Sequence, residues 1–241
     1  EGSAQAHPEI QKLDVTCCCS GRGMIVLGDA QGQITLMDRN HHLQTFHAYE
    51  DKVTHLQQLK QTNVLVSIGN EEDGPGVVKV WNFDKTDKTG GFLCATTMKI
   101  FSPKFPEVPV TALVVSEDLS MISIGLGNGL ILVFRGDILR GRFTRSKLQG
   151  VDDAPVTMLG YEDTAKNSYL FACTLNHLLL FTNLRNEREI LDEQGGTRGE
   201  VTFTEEHEVL LGKPEAVYFY GKDGRGPCFA FEGDKKLIAW F

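Results

Sequence analysis

An all-β fold built from repeated units is predicted by three features of this 241-residue sequence. They are short apolar runs of strand length, a Val-Thr dipeptide that recurs along the chain, and glycine-containing turns between the runs. The clearest unit is Val110 to Phe134, where three apolar runs are separated by the polar turns Ser116 to Ser120 and Gly125 to Gly129. Each run is about five to six residues, too short for a helix to offset its nucleation cost and ordinary for a strand. The pattern is that of a three-stranded antiparallel meander.

Taken in order, the first unit opens at Val15-Thr16, turns at Ser20 to Gly23, continues through Met24 to Gly28, and turns again at Asp29 to Gly32 before Gln33 to Asp38. Leu43 to Phe46 supplies a fourth, outer strand. The second opens at Val53-Thr54, with Val64 to Gly69 and Val77 to Trp81 as later strands, an acidic turn at Asn70 to Gly76 and a polar loop at Asp84 to Gly91. The third opens at Val110-Thr111 and the fourth at Val156-Thr157, followed by Tyr169 to Thr174 and His177 to Thr182. A fifth Val-Thr lies at Val201-Thr202, ahead of Glu208 to Gly212 and Ala216 to Gly221. Cys228 to Phe241 reads as the start of a sixth.

The openings are 38, 57, 46 and 45 residues apart, and the polar insertions account for the long second interval. A period near the roughly 40 to 45 residues of a WD40-type unit indicates a β-propeller in which each unit is one four-stranded blade. The units fall near 15–52, 53–109, 110–155, 156–200 and 201–225, with a partial one at 226–241. Runs apolar at consecutive positions, Leu130 to Val133 and Leu178 to Phe181, favour blades covered on both faces over a half-exposed sandwich, whose strands would alternate. Five blades and part of a sixth are the expectation, as a portion of a seven-bladed ring. An open ring exposes blade faces, so a stable form is expected to need further blades or a partner.

Composition bounds the function classes. Hydrophobic residues make up 41% and charged residues 23%, ordinary values for one globular domain of this length, and the 25 glycines suit a turn-rich β fold. A formal charge of -8 disfavours nucleic acid as a partner. No apolar run approaches the roughly 20 residues needed to span a bilayer, and residues 1–14 lack the pattern of a signal peptide. The six cysteines lack the spacing of a disulfide scaffold and read as reduced thiols.

Few motifs suggest chemistry. Gly125-Leu126-Gly127-Asn128-Gly129 reads as a hairpin turn, because no helix follows it to bind an anion; Gly28-Asp29 and Gly69-Asn70 read as equivalent turns. Cys17-Cys18-Cys19 lacks metal-ligand spacing and reads as small buried hydrophobes. His41, His42, His47 and His55 read as loop histidines. The acidic pairs Glu71-Glu72, Asp152-Asp153 and Glu205-Glu206 have no evident acid-base partner. No catalytic, cofactor-binding or metal-binding residues are assigned, and no cofactor is expected. Arg135, Arg140, Arg142, Arg145 and Lys147, opposed only by Asp137, form the one basic cluster in an acidic chain. They read as a loop-like inter-blade connection and as the candidate contact for an acidic partner or an anionic lipid surface.

Several stretches resemble one family. Ser20-Gly21-Arg22-Gly23 with Gly28-Asp29 and Gly32-Gln33-Ile34, Val53-Thr54-His55-Leu56 with Gln58-Leu59-Lys60-Gln61, Val78-Lys79-Val80-Trp81-Asn82, Gly136-Asp137-Ile138, and Arg225-Gly226-Pro227-Cys228-Phe229-Ala230-Phe231-Glu232-Gly233 resemble the N-terminal propeller of the eleventh vacuolar protein sorting subunit family. The resemblance implies a class C core subunit of the HOPS and CORVET tethering complexes, acting in vesicle docking, membrane fusion and protein transport. It further implies other complex subunits as partners, indirect links to Rab and SNARE proteins, and a cytoplasmic position peripheral to late endosome, lysosome or vacuole membranes. The α-solenoid and RING finger expected of whole members have no counterpart in these residues. A propeller scaffold of another cytosolic complex is the alternative. A propeller enzyme with a channel-bound cofactor would need acids or histidines at matching positions of several units, and the units open with Val-Thr instead.

Overall fold

The computed structural model describes residues 7–72, 74–102, 107–163, 168–181, 187–191, 197–201, 207–212, 216–221, 227–233 and 236–240, with the strands beyond 181 described by backbone pairing. Two compact units divide at Glu107/Val108. In the first, β1 (Val15–Gly21), β2 (Met24–Asp29), β3 (Gln33–Met37) and β4 (Leu43–His47) form one antiparallel sheet in sequence order. β5 (Val53–Gln58), β6 (Val64–Glu71), β7 (Gly74–Thr86) and β8 (Phe92–Lys99) form a second in the same way.

The burial of these strands follows their place in the sheet. The middle strand β6 is buried at six successive positions, Val64 to Gly69, whereas the outer strand β4 has no fully buried residue. A strand covered on both faces must be apolar on both, and an outer strand need not be. Val26, Ile34 and Leu36 of the first sheet and Val53, Leu65, Val77 and Trp81 of the second share one core with Tyr49. Cys17 and Cys19 are half-buried against it while Cys18 is exposed, so alternation along β1 turns only two of the three cysteines expected inside toward the core.

The second unit repeats the plan. β9 (Val110–Val115), β10 (Met121–Leu126), β11 (Leu130–Asp137) and β12 (Arg142–Gly150) make the third sheet. β13 (Val156–Asp163), β14 (Ser168–Thr174) and β15 (His177–Phe181) begin the fourth, and its outer strand comes from later in the chain. Glu187–Leu191 (β16) and Thr197–Val201 (β17) pair as a separate hairpin, and His207–Gly212 (β18) then adds beside β15. This corrects the expected fifth unit: Val201 closes a hairpin, and Glu208 to Gly212 pairs with the fourth sheet. A dipeptide does not encode long-range pairing, and Thr202 lies outside the described residues. Ala216–Gly221 (β19), Pro227–Gly233 (β20) and Lys236–Trp240 (β21) form a three-stranded sheet. The fold class is therefore all-β and propeller-like, with four four-stranded blades among the described strands.

Two expected loops belong to the ladders. β6 runs to Glu71 and β7 starts at Gly74, which shortens the acidic turn expected over Asn70 to Gly76. β7 continues to Thr86, and the turn before β8 closes on the Asp87 carboxylate, which accepts from the Thr89 and Gly91 amides at 2.8 and 2.9 Å.

The recurring Val-Thr has a structural cause. The ladder shifts register at this step in all four blades, between Val15 and Cys17, Val53 and His55, Val156 and Met158, and opposite Thr111. The threonine is the extra residue of a bulge, which re-aims its side chain. Thr54 and Thr157 each donate to the neighbouring strand, to the carbonyls of Ile68 and Cys173, both at 3.2 Å. Thr16 donates to the Val53 carbonyl and Thr111 to that of Val156, each reaching the next blade. Val53 and Val156 in turn fill space left by glycine. A Cβ on Gly28 would stand 2.7 Å from a Val53 methyl, and one on Gly125 2.6 Å from a Val156 methyl. Gly28 and Gly125 thus sit in strands as sites of close blade approach, where turn glycines were expected. In these two hairpins the left-handed turn glycines are Gly32 and Gly129, with φ of 75° and 78°. Their carbonyls accept the chain returning from the outer strand, from the Ala48 and Tyr49 amides and from the Val151 and Asp152 amides.

Candidate functional site

Four of the five basic residues lie on strands where a loop was expected, Arg135 on β11 and Arg142, Arg145 and Lys147 on β12, with Arg140 in the turn between the two. β11 ends at Asp137, a single 3-10 turn over Ile138–Arg140 is anchored by fully buried Ile138, and Gly141 in the left-handed region turns the chain into β12. β12 carries polar residues on both faces, which reads as loop in sequence. An outer strand is fixed by backbone pairing and tolerates that pattern.

The register sorts the five cations. Arg135 is directly opposite Arg145, Val133 opposite Lys147, and Asp137 opposite Arg142. Opposed residues share a face, so Arg135, Arg145 and Lys147 stand on the face that carries Ile131 and Val133. Those two valine and isoleucine side chains belong to the core shared with Val156, Leu170, Ala172 and Phe181 of the fourth blade. The row of three cations is therefore the outer margin of the face turned toward that blade. Arg140 is apart from it, 3.4 Å from the Asp137 carboxylate with its side chain 73% exposed, and a pair so solvated contributes little to stability. Arg142 and Arg145 are exposed, and Arg135 and Lys147 half-buried.

Elsewhere the polar clusters serve the joints between blades. In the first unit the Tyr49 hydroxyl meets Ser67 Oγ at 2.8 Å, and Trp81 Nε1 donates to the same oxygen at 2.9 Å. Burial raises the Tyr49 phenol well above its ordinary range. The Lys79 ammonium pairs with Glu71, donates to the Ala48 carbonyl at 2.6 Å and lies 4.5 Å from the Tyr49 ring centroid. These contacts tie Lys79 to the joint, and it also lines a cavity of about 510 Å³ with His47, Glu50 and Glu72. In the second unit Asp152 holds the same place as Tyr49. It accepts from Thr174, from His177 at 3.0 Å and from Asn176 at 3.1 Å. Burial pushes its carboxyl up, but these hydrogen bonds outweigh that and hold it below the ordinary range.

Cys17 and Cys19 are pushed up to about 11 by burial, which keeps them as thiols. His42 lies 3.3 Å from Asp38 on the surface. Among the described residues no three of His, Cys, Asp and Glu come together as a metal site. Glu205-Glu206 lies outside the described residues.

The whole chain, residues 1–241, matches the model of the PEP5/VPS11 N-terminal family. The chain belongs to the PEP5/VPS11 N-terminal family. It is 36% identical to the vacuolar protein sorting-associated protein 11 homolog of Dictyostelium discoideum over 96% of its length. Identity to the homolog of Arabidopsis thaliana is 39% over 97% of the chain, and to that of Homo sapiens 37% over 94%. The chain spans about a quarter of those relatives, covering 25%, 27% and 24% of them respectively. A designed protein, Ika4, aligns at a TM-score of 0.46 and 22% identity over 83% of this chain and 95% of its own, too slight a likeness to bear on the fold.

For this member of the PEP5/VPS11 N-terminal family, sequence reading found the cations but not their grouping, and it missed the Tyr49, Ser67, Trp81 and Asp152 joints. The signal for the joints was positional. Tyr49 and Asp152 each follow the outer strand by two residues and each donate an amide to a left-handed glycine in the turn between the two middle strands of that same sheet.

Proposed function

We propose that this chain is a non-enzymatic protein-interaction module of a membrane-tethering subunit, serving docking and fusion at endosome, lysosome or vacuole membranes. Membership of the PEP5/VPS11 N-terminal family carries this reading, together with relatives named as vacuolar protein sorting-associated proteins. Other subunits of a HOPS- or CORVET-type assembly are its partners, with Rab and SNARE proteins reached indirectly. Association with the membrane is peripheral; no helix among the described residues is long and apolar enough to cross one.

The geometry suits display. Blades joined by side-chain hydrogen bonds and by valine packed on glycine hold their turns and outer strands in fixed positions, so binding incurs little ordering cost beyond the contact itself. Arg135, Arg140, Arg142, Arg145 and Lys147 are the contact surface in this reading. Crosslinking mass spectrometry on the intact complex tests it: crosslinks from residues 1–241 to another subunit are expected, and their complete absence would sink the interaction role.

A further inference from the structure

We propose that the turns joining the first two blades bind an acidic residue of a partner protein, its carboxylate on Arg22 and Arg39 and its main-chain amide on Gln58. The inference rests on the reading of the chain as an interaction module and adds a second contact surface with a stated chemistry.

Three turns meet at one end of the first unit. Arg22 lies between β1 and β2, Arg39 between β3 and β4, and Lys60 and Gln61 between β5 and β6. Gly21 pairs with Met24, which leaves a two-residue turn with φ of 50° at Arg22 and 78° at Gly23, a tight hairpin end that holds its shape. Arg22 Nη1 donates across to the second blade, to the carbonyls of Lys60 at 3.4 Å and Gln61 at 3.2 Å. A Cβ on Gly23 would stand 2.6 Å from Arg39 Nε, so the second guanidinium rests on the same turn. Two exposed cations are thereby anchored to one hairpin end.

No carboxylate among the described residues answers them. Asp38 accepts from the Asn40 and His42 amides and pairs with the His42 ring, and Asp84 accepts from Asn63. Arg22 reaches main-chain carbonyls alone, and Arg39 has no hydrogen bond or ion pair among the described residues. Beside the same turn lies Gln58, only 4% exposed, with neither its Nε2 nor its Oε1 hydrogen-bonded. Its Oε1 would be 3.2 Å from a Cβ on Gly21, the residue before Arg22.

A buried amide with both atoms unpaired is costly, and packing is all that holds it inward. Gln58 turns outward when an acceptor and a donor are offered together. A peptide group offers both, its carbonyl to Nε2 and its N–H to Oε1. An acidic residue brings that peptide group together with a carboxylate, which suits the forked donors of the two guanidiniums. A lipid phosphodiester would meet the arginines but offers Oε1 no donor, which favours protein over membrane.

The test uses the full-length protein with a fluorescent peptide repeating Gly-Asp and its Gly-Asn counterpart. Inorganic phosphate and vesicles of about one-third phosphatidylserine in phosphatidylcholine supply the other sources of negative charge. The site predicts binding of the Asp peptide over the Asn one, weakened about tenfold or more by Arg22→Gln with Arg39→Gln. Arg39→Gln alone removes no hydrogen bond from the fold and weakens it about threefold. Gln58→Leu removes the amide at similar size, so affinity falls about threefold while the melting temperature holds or rises, a split that a packing role would not give. Failure of the Asp peptide to bind, equal binding of the two peptides, or indifference to Gln58→Leu overturns the proposal. So does weakening by Arg135→Gln with Arg145→Gln in place of the Arg22 and Arg39 variants, which would put the peptide on β11 and β12. Phosphate or vesicle binding that the arginine variants abolish, without binding of the Asp peptide, overturns it in favour of a phosphate site. Crosslinks to other subunits that persist when the peptide fails would reject this site alone; their absence rejects the module reading as well.

Discussion

The hydroxyl of Thr16 donates to the main-chain carbonyl of Val53, one blade further on, and Thr111 does the same to Val156. Replacing either threonine by valine keeps the shape and removes the donor, leaving a carbonyl beside a buried valine short of its partner. Each substitution should cost about 1 kcal/mol, and Thr→Ser substantially less. Urea unfolding midpoints for the four variants check this; equal loss from Val and Ser would assign the effect to the methyl group.

Glycine substitutions should separate by position. Gly125→Ala forces a Cβ to within 2.6 Å of a Val156 methyl and 3.1 Å of Ala112, and overpacking of this kind costs roughly 1–3 kcal/mol. Gly127→Ala meets nothing nearer than 3.4 Å and should be close to neutral. Combining Gly125→Ala with Val156→Ala should recover part of the loss, and a thermal melt of the pair measures the coupling.

Two buried serines should respond in opposite directions. Ser67 serves both the Tyr49 hydroxyl and the Trp81 indole, so Ser67→Ala strands two buried polar groups and should destabilise by about 1–3 kcal/mol. Ser123 Oγ is fully buried with no partner, so Ser123→Ala should be neutral or stabilising. Denaturant titrations of both variants distinguish a shared packing effect from this difference.

Acid should expose the Asp152 joint. Its folded carboxyl lies below the ordinary range, so the stability it contributes is present above about pH 4 and drains as the pH falls from there toward the folded value. Asp152→Asn should lower stability near neutrality and flatten the acid limb of the profile. Unfolding midpoints measured from neutral pH downward would show parallel limbs if Asp152 had no part.

Cysteine chemistry should follow alternation along β1. Burial holds Cys17 and Cys19 at about 11, and Cys18 is exposed. Brief alkylation of the native protein at mildly alkaline pH should label Cys18 ahead of its neighbours, read by fragment mass spectrometry. Even labelling of all three would contradict the burial pattern.

Much of this architecture was legible in the chain. Strand length, consecutive apolar runs such as Leu130 to Val133 and the spacing of Val-Thr carried the blades, because burial on both faces writes itself into composition. Outer strands left a weaker trace: β12 has no apolar face to declare it, so its cations read as a loop. The fifth Val-Thr failed for a related reason, since pairing between β15 and β18 across an intervening hairpin depends on contacts far apart in sequence. The joints were illegible because Tyr49 and Asp152 do one job with unlike side chains, and only the backbone bond to Gly32 or Gly129 reveals the equivalence.

The Val-Thr step supplies the two halves of a connector to different blades. In the first and third blades its threonine is the plug, in the second and fourth its valine carbonyl is the socket, and Thr54 and Thr157 donate within their own sheets. Each joint is therefore head-to-tail, with unlike ends and no self-complementary partner. One dipeptide does two jobs, and the blade it opens sets which of them it performs, so a copied unit would not by itself bring both ends into use.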